Sequence, residues 1–317
     1  MSGWDIIGDL HGHADALRRL LERLGYVRQA DCYRHPQGRR ALFLGDLVDR
    51  GPDIAGTVHI VRRMHTHGQA EVIMGNHEIN LIAMRICGEN GAPLRAHTSY
   101  RQKDYALTCA ALGDALEDTC EWFRRLPLWL EMDGLRAVHA VWSPEHMQVI
   151  QAQRGKPQQR LDDHFMRSAF SKETPLFAAI ETVLKGCEVP LPADQQFTDA
   201  SGHTRQDIRV QWYRRPAANE TLGQWSMPPG SIACSLPAHP YAHTVPTYPV
   251  TDPPCFFGHY WWTGPLAPLP GHPNLACLDY GVARSNDAPA HLPRLLVAYR
   301  FQGEHELDHQ HFVAVSA

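Results

Sequence analysis

Short apolar runs alternate with amphipathic stretches through the first 140 residues. Asp5-Ile6-Ile7-Gly8 reads as a buried strand. Ala16, Leu17, Leu20, Leu21 and Leu24 then recur at helical spacing, with Arg18, Arg19, Glu22 and Arg23 facing outward and Gly25 as a stop. Residues 41–45 predict a second strand, about 54–64 a helix and 71–75 a third strand, and another helix starts near Glu78. This β-α-β-α order predicts an α/β fold with strands buried between helical layers. Residues 128–131 and 135–140 flank Asp133-Gly134, a two-residue hairpin signal, so antiparallel pairing is expected to extend the sheet.

The pattern changes from Ser143 to about Pro254. A helix is expected between Pro175 and Gly186, and a strand over 208–213. Prolines 228, 229, 237, 240, 246, 249, 253 and 254 then crowd one stretch and argue against regular structure there. Its Trp, Tyr, Ile and Leu content predicts an ordered loop packed on the domain. Strand patterns return at 256–258, 275–278 and 295–299. At 317 residues the chain exceeds the ~100–200 of a usual domain without clearly making two. One domain spanning 1–317, interrupted by an insertion at about 143–255, is the expectation.

Composition narrows the function classes. Net charge is −4, and no basic arm or stripe supplies the cations that non-specific nucleic-acid binding needs. No apolar run reaches the ~18 residues of a membrane helix, and the start shows no leader pattern, so the expected location is cytoplasmic. The 8 cysteines form no C-x-x-C pair and read as reduced, packed thiols. Histidine, at 20, is abundant enough for its placement to matter.

Three early strands each end in a glycine followed by polar, metal-type ligands. They are Gly8-Asp9-Leu10-His11-Gly12, Gly45-Asp46-Leu47-Val48-Asp49-Arg50-Gly51 and Gly75-Asn76-His77-Glu78. One such turn is an ordinary Asx-capped connection. Three in order place their ligands at one edge of one sheet, where open α/β folds bind ligands.

With these motifs the chain resembles the phosphoprotein phosphatase family of calcineurin-like metallophosphoesterases, in an uncharacterised bacterial branch. His139 in Val138-His139-Ala140, His259 in Gly258-His259-Tyr260 and the Leu278-Asp279-Tyr280-Gly281 segment match further family positions. The likeness covers 5–142 and 255–301 closely. It implies a four-layer sandwich of two mixed β-sheets flanked by helices, the segment at about 143–255 being this lineage's own. It also implies two divalent ions. Asp9, His11 and Asp46 would hold one, and Asp46, Asn76, His139 and His259 the other, with Asp46 as the bridge. The imidazole content suits Mn above all, or Fe, Zn, Ni or Co, better than Mg. Arg50 would grip two phosphate oxygens. His77 would protonate the leaving oxygen, with Asp49 holding its far nitrogen. For a second phosphate arginine Arg214 is the candidate, with Arg209 and Arg215 as competitors.

The implied reaction is hydrolysis of a phosphate ester by a metal-bridging hydroxide, on a phosphorylated small molecule, nucleotide or phosphoprotein. The primary reading is a phosphomonoesterase, with protein phosphoserine and phosphothreonine within its range. The alternative is a dinucleoside polyphosphate or other diester hydrolase on the same metals. A non-catalytic metal-binding module is the third reading, and Asp49, Arg50 and His77 argue against it because metal binding alone needs none of them. Elsewhere, His13 is expected beside the site and not as a ligand. His65 and His67 are expected at a helix end, and His305, His309 and His311 in a polar C-terminal tail. Trp261-Trp262 is expected as core or cleft wall, not as a base-stacking platform, and Ser143 stands where relatives of the branch often carry an acid.

Overall fold

The computed structural model describes residues 3–317 except 89–90, 96–98, 133, 157, 194, 199–203, 286–287 and 290. Its first sheet is built on the Trp4–Ile7 strand, whose four residues are all buried. Arg40–Phe43 pairs parallel to it and Ala70–Val72 parallel to that, the arrangement expected of near-continuous apolar strands. On the other side Leu295–Phe301 pairs antiparallel, from Trp4↔Phe301 to Ile7↔Ala298, and itself carries Asp279–Tyr280 and Phe312–Ser316. Asp5 interrupts the apolar run and is fully buried. It survives there because Arg39 reaches it through Nη2 at 2.8 Å and Nε at 3.1 Å, with Arg300 at 3.4 Å.

The second sheet orders Leu275–Cys277, Cys255–Phe257, Leu135–Val138 and Trp129–Met132. The first three run parallel and the last pair is antiparallel, closing at Met132↔Leu135. Asp133 of the predicted hairpin lies outside the described residues, but the antiparallel pairing around it is present. Both sheets are thus mixed. They face each other across aromatic contacts, with the Phe256 ring 5.1 Å from Tyr299 and 5.9 Å from Phe301. The chain crosses between them in one step, from Leu275–Cys277 to Asp279–Tyr280.

Helices cover the outside. Ala14–Arg23 buries Ala14, Ala16, Leu17, Leu20 and Leu21 against Leu295–Phe301 and Phe312–Ser316. Ile54–Thr66 is capped by Asp53, whose side chain accepts from the Gly56 N–H at 2.8 Å, and packs on Ala70–Val72. Ser99–Leu112, which the apolar pattern does not announce, touches Ile54–Thr66. Pro175–Lys185 begins and ends where Pro175 and Gly186 predict, capped by Thr174, and packs on Pro144–Arg154.

Three expectations need correction. The strand read over 208–213 is only Asp207–Arg209, paired with Glu188–Pro190, because Gln211 turns inward to bond Ser226 and Gln224 carbonyls. The proline-rich stretch holds a 3₁₀ segment, His239–Thr244, with Pro240 where a helix start tolerates it. The strand pattern does not end at 295–299, since Phe312–Ser316 pairs with Leu295–Phe301 in the sheet. The proline-rich loop is indeed anchored. Arg136 donates to Asp252 at 2.7 Å and stacks on Trp142 and Tyr248, and fully buried Trp212 meets Tyr248 and Phe257 edge-on.

One glycine fixes how the strand ends converge. Gly45 has φ +91°, and a Cβ there would lie 2.3 Å from the Gly75 nitrogen. The Gly45-Asp46 turn and the Gly75-Asn76 turn can touch only because neither side chain intervenes. Gly45→Ala is expected to cost about 3–5 kcal/mol, left-handed strain plus backbone overlap. Gly38→Ala, at φ +72° with open space around it, should cost only about 1–2 kcal/mol. Urea midpoints of the two variants check this, and equal losses would show that the Gly45 contact imposes no constraint.

Candidate metal and phosphoryl site

Five strand ends deliver the candidate residues: Asp9 and His11 after Trp4–Ile7, Asp46 after Arg40–Phe43, Asn76 after Ala70–Val72, His139 after Leu135–Val138 and His259 after Cys255–Phe257. Seven non-glycine residues among those described have positive φ. Six of them are here: His11, Asp46, Asp49, Arg50, His259 and Trp261. Strain of this kind persists where surrounding contacts over-determine it.

Those contacts run through Glu78, which is fully buried. Its Oε2 accepts the Gly75 and Asp46 N–H groups at 2.8 and 2.9 Å, and its Oε1 the Leu47 N–H at 2.7 Å. One carboxylate therefore ties the Asp46 loop to the start of Asn76–Ala83. Sequence reading quoted Glu78 within its motif but gave it no role. Its place three residues after Gly75 at a helix start was the available signal.

Asp46 is the hub. Its oxygens lie 3.4 Å from His139 Nε2, 3.5 Å from His11 Nε2 and 3.8 Å from His77 Nε2. Ligand-type atoms fall into two groups within 4.8 Å, His11–Asp46–His77 and Asp46–His139–His259, and Asp46 belongs to both. Asn76 Oδ1 joins the second, 3.1 Å from His139 Nε2 and 2.8 Å from His259 Nδ1. Donors bound about 2.1 Å from a cation sit about 3.0–3.4 Å from one another, so this spacing matches a coordination shell. The ring orientations agree. His11 Nδ1–H donates to the Val48 carbonyl at 3.0 Å and His139 Nδ1–H to the Leu44 carbonyl at 2.7 Å, leaving each Nε2 as a lone-pair donor facing Asp46. The residues present fit two divalent cations.

Electrostatics point the same way. Burial alone would raise the Asp46 carboxyl, but His139, His77 and His11 outweigh it and hold the group well below the usual carboxylate range. Burial would lower His139, yet Asp46 and Asp9 push it up to about 10. The pocket thus demands positive charge. Burial and then Arg50 depress His11, while burial and then Arg209 depress His259. Asp9 is raised by burial and by Asp279. Both its oxygens turn to the His259 backbone N–H, at 3.1 and 3.3 Å, so it sits beside the two groups instead of within them.

The remaining motif residues meet at the rim. His77 Nδ1 donates to Asp49 Oδ2 at 2.5 Å. Arg50 points Nη1 at His11 Nε2 (3.0 Å) and Nη2 at His77 Nε2 (3.2 Å), and its guanidinium lies 5.0 Å over Trp261. Trp261 is therefore a wall holding Arg50. Burial lowers His77, but Asp46 and the Asp49 bond together raise it above its ordinary value. Thr108, fully buried and absent from the sequence reading, donates to Asp49 Oδ1 at 2.5 Å.

Arg214 requires correction. Glu220 takes Nη2 at 2.5 Å and Nη1 at 2.8 Å, and Gln211 takes Nε at 2.8 Å, so its donors are spent on the insertion's own packing. Arg209, one of the competitors, is the arginine whose charge reaches His259. His13 donates to the Leu10 and His11 carbonyls, and His65 accepts from Trp122. His311 is bound to Glu304 at 2.7 Å, and no metal-type group forms around it among the described residues.

The profile of the family described as calcineurin-like phosphoesterase matches residues 5–195. An asymmetrical bis(5'-nucleosyl)-tetraphosphatase of a Geobacillus species is 41% identical over 136 residues, 43% of this chain and 55% of that protein. A symmetrical bis(5'-nucleosyl)-tetraphosphatase of Chromohalobacter salexigens is 34% identical over 149 residues, 46% of this chain and 47% of that protein. The chain thus spans about half the length of these relatives. A solved protein serine/threonine phosphatase from Saccharomyces cerevisiae aligns over 100% of this chain and 80% of its own at 13% identity, with a TM-score of 0.46.

Because Asp46 alone belongs to both ligand groups, Asp46→Asn is expected to lose both ions, whereas His77→Asn should keep two. Elemental analysis after gel filtration measures this. Two tightly held ions in Asp46→Asn would displace the bridge.

Proposed function

This chain belongs to the calcineurin-like phosphoesterase family, and on that premise we propose that it hydrolyses a phosphoryl bond at a two-cation site centred on Asp46, with dinucleoside polyphosphates as its preferred substrate class. The carrying observation is the convergence of an acceptor shell around Asp46 with the Arg50–His77–Asp49 set at its rim. Metal binding alone would not require that set. Asp46, Asn76, His139 and His259 would hold one ion, and Asp46 and His11, with Asp9 alongside, the other. Two such cations supply water activation and neutralisation of developing charge.

The chain's own groups do the rest. Arg50 turns two parallel N–H groups into the site, toward His11 Nε2 and His77 Nε2, and these match two oxygens of a phosphoryl group. His77 Nε2, beside Arg50, is the atom placed to hand a proton to the departing oxygen, while Asp49 holds Nδ1. Arg209, whose charge reaches His259, is itself paired with Glu188 at 3.1 Å. Substrate class rests on the names of the relatives. The phosphomonoester reading uses the same machinery and would rank first if the insertion encloses a single phosphate.

The test is a panel with diadenosine tetraphosphate, a phosphoserine peptide and p-nitrophenyl phosphate, assayed after exhaustive chelation and after Mn addition. Chelation should abolish turnover and Mn should restore it best. Diadenosine tetraphosphate should have the highest kcat/KM by at least about tenfold, a difference of about 1.4 kcal/mol in transition-state binding. A higher value for the phosphopeptide assigns the monoester reading, and full activity of a verified metal-free sample refutes the two-cation site.

A further inference from the structure

Asp49 is held from two sides. Its Oδ2 faces His77, and its Oδ1 receives the hydroxyl of Thr108, 59 residues away in sequence. Thr108 lies on Ser99–Leu112, a helix that carries neither a family motif nor a strong apolar stripe. A helical threonine ordinarily turns its hydroxyl back to a carbonyl of the preceding turn. Here it is fully buried and spends its single donor on a carboxylate at the rim of the metal site. Asp104, one turn earlier on the same helix face, has its carboxyl raised by burial and then by the charge of Asp49, so the two acids feel each other.

From this geometry we propose that Thr108 is a positioning residue that locks the rotation of the Asp49 carboxylate and thereby aims His77 at the leaving group. The inference rests on the phosphoesterase reading of the site. The Asp49 backbone is already in a left-handed conformation, φ +69°, so its side chain cannot rely on local backbone preference for its direction. With Thr108 bonded, each carboxylate oxygen has one fixed donor. Without it, Oδ1 is a buried acceptor with nothing to accept, and the group gains by swinging away. The His77 ring would then lose its hold at Nδ1.

Thr108→Val preserves shape and removes the donor, and Thr108→Ser restores it. For Thr108→Val we expect two retained metal ions, KM within about twofold, and kcat lowered about tenfold on phosphoserine, a fraction of the effect of losing a general acid outright. On p-nitrophenyl phosphate, whose phenolate leaves unaided, the loss should stay within about twofold. Thr108→Ser should recover most of the rate. In an Asp49→Asn background, Thr108→Val should add less than about twofold, because the group it acts through is already impaired. A second readout is independent of turnover: the His77 Nδ1 proton, slowly exchanging in the wild-type NMR spectrum, should exchange rapidly in Thr108→Val. Equal losses on both substrates, fully additive effects with Asp49→Asn, or an unchanged Nδ1 proton would overturn the proposal. Absence of hydrolysis by the wild-type protein would instead remove the phosphoesterase reading, and the NMR comparison would still decide the Thr108 contact.

Discussion

The constraint on which this structure depends is the burial of the Asp46 carboxylate. A charge removed from water must be met by opposite charge and by donors, or it costs several kcal/mol. Here the His77 backbone N–H donates to Oδ1 at 3.0 Å, and three imidazoles surround the two oxygens. Each of those imidazoles has its other nitrogen fixed, by Val48, Leu44 or Asp49. Meeting that one charge therefore determines the direction of three strand ends and one helix start.

Glu78 makes this arrangement possible from behind. As a second fully buried carboxylate, pushed up by burial and by Asp46, it is held by three backbone N–H groups that belong to the two turns being joined. Gly45 and Gly258 allow the backbones to come close enough. A Cβ on Gly258 would lie 2.0 Å from Asp9 Oδ1. The site is a set of loops drawn together by buried acids, with the two sheets acting as the rigid frame that limits where they can go.

Much of this was legible from sequence where the chemistry is local. Strand, glycine and ligand follow one another directly in three motifs, so period and turn chemistry located Asp9, His11, Asp46, Asn76 and His77 on one sheet edge. His139 and His259 were identified by resemblance, because nothing in their local pattern joins them across the 119 residues between them. Contacts made by single polar atoms over long separations were not legible. Thr108 lies on a helix with a weak apolar pattern, and its hydroxyl finds Asp49 only in the folded chain. Arg214 failed for the same reason: a Trp-Tyr-Arg sequence does not reveal that Glu220, six residues on, closes over the guanidinium. The strand Phe312–Ser316 was missed because its short run, all but its last residue apolar, follows a polar segment and finds its partner Leu295–Phe301 only in the fold.

In the proposed site one carboxylate, Asp46, would be shared by two cations. Electron paramagnetic resonance of the protein loaded with two equivalents of Mn(II) tests it most directly. A shared ligand couples the two ions by exchange, so the predicted result is the multiline, temperature-dependent spectrum of a coupled Mn pair, replaced by the signal of unbound Mn(II) in Asp46→Asn. Two uncoupled six-line signals in the wild-type protein, or saturation at one equivalent, would contradict the account.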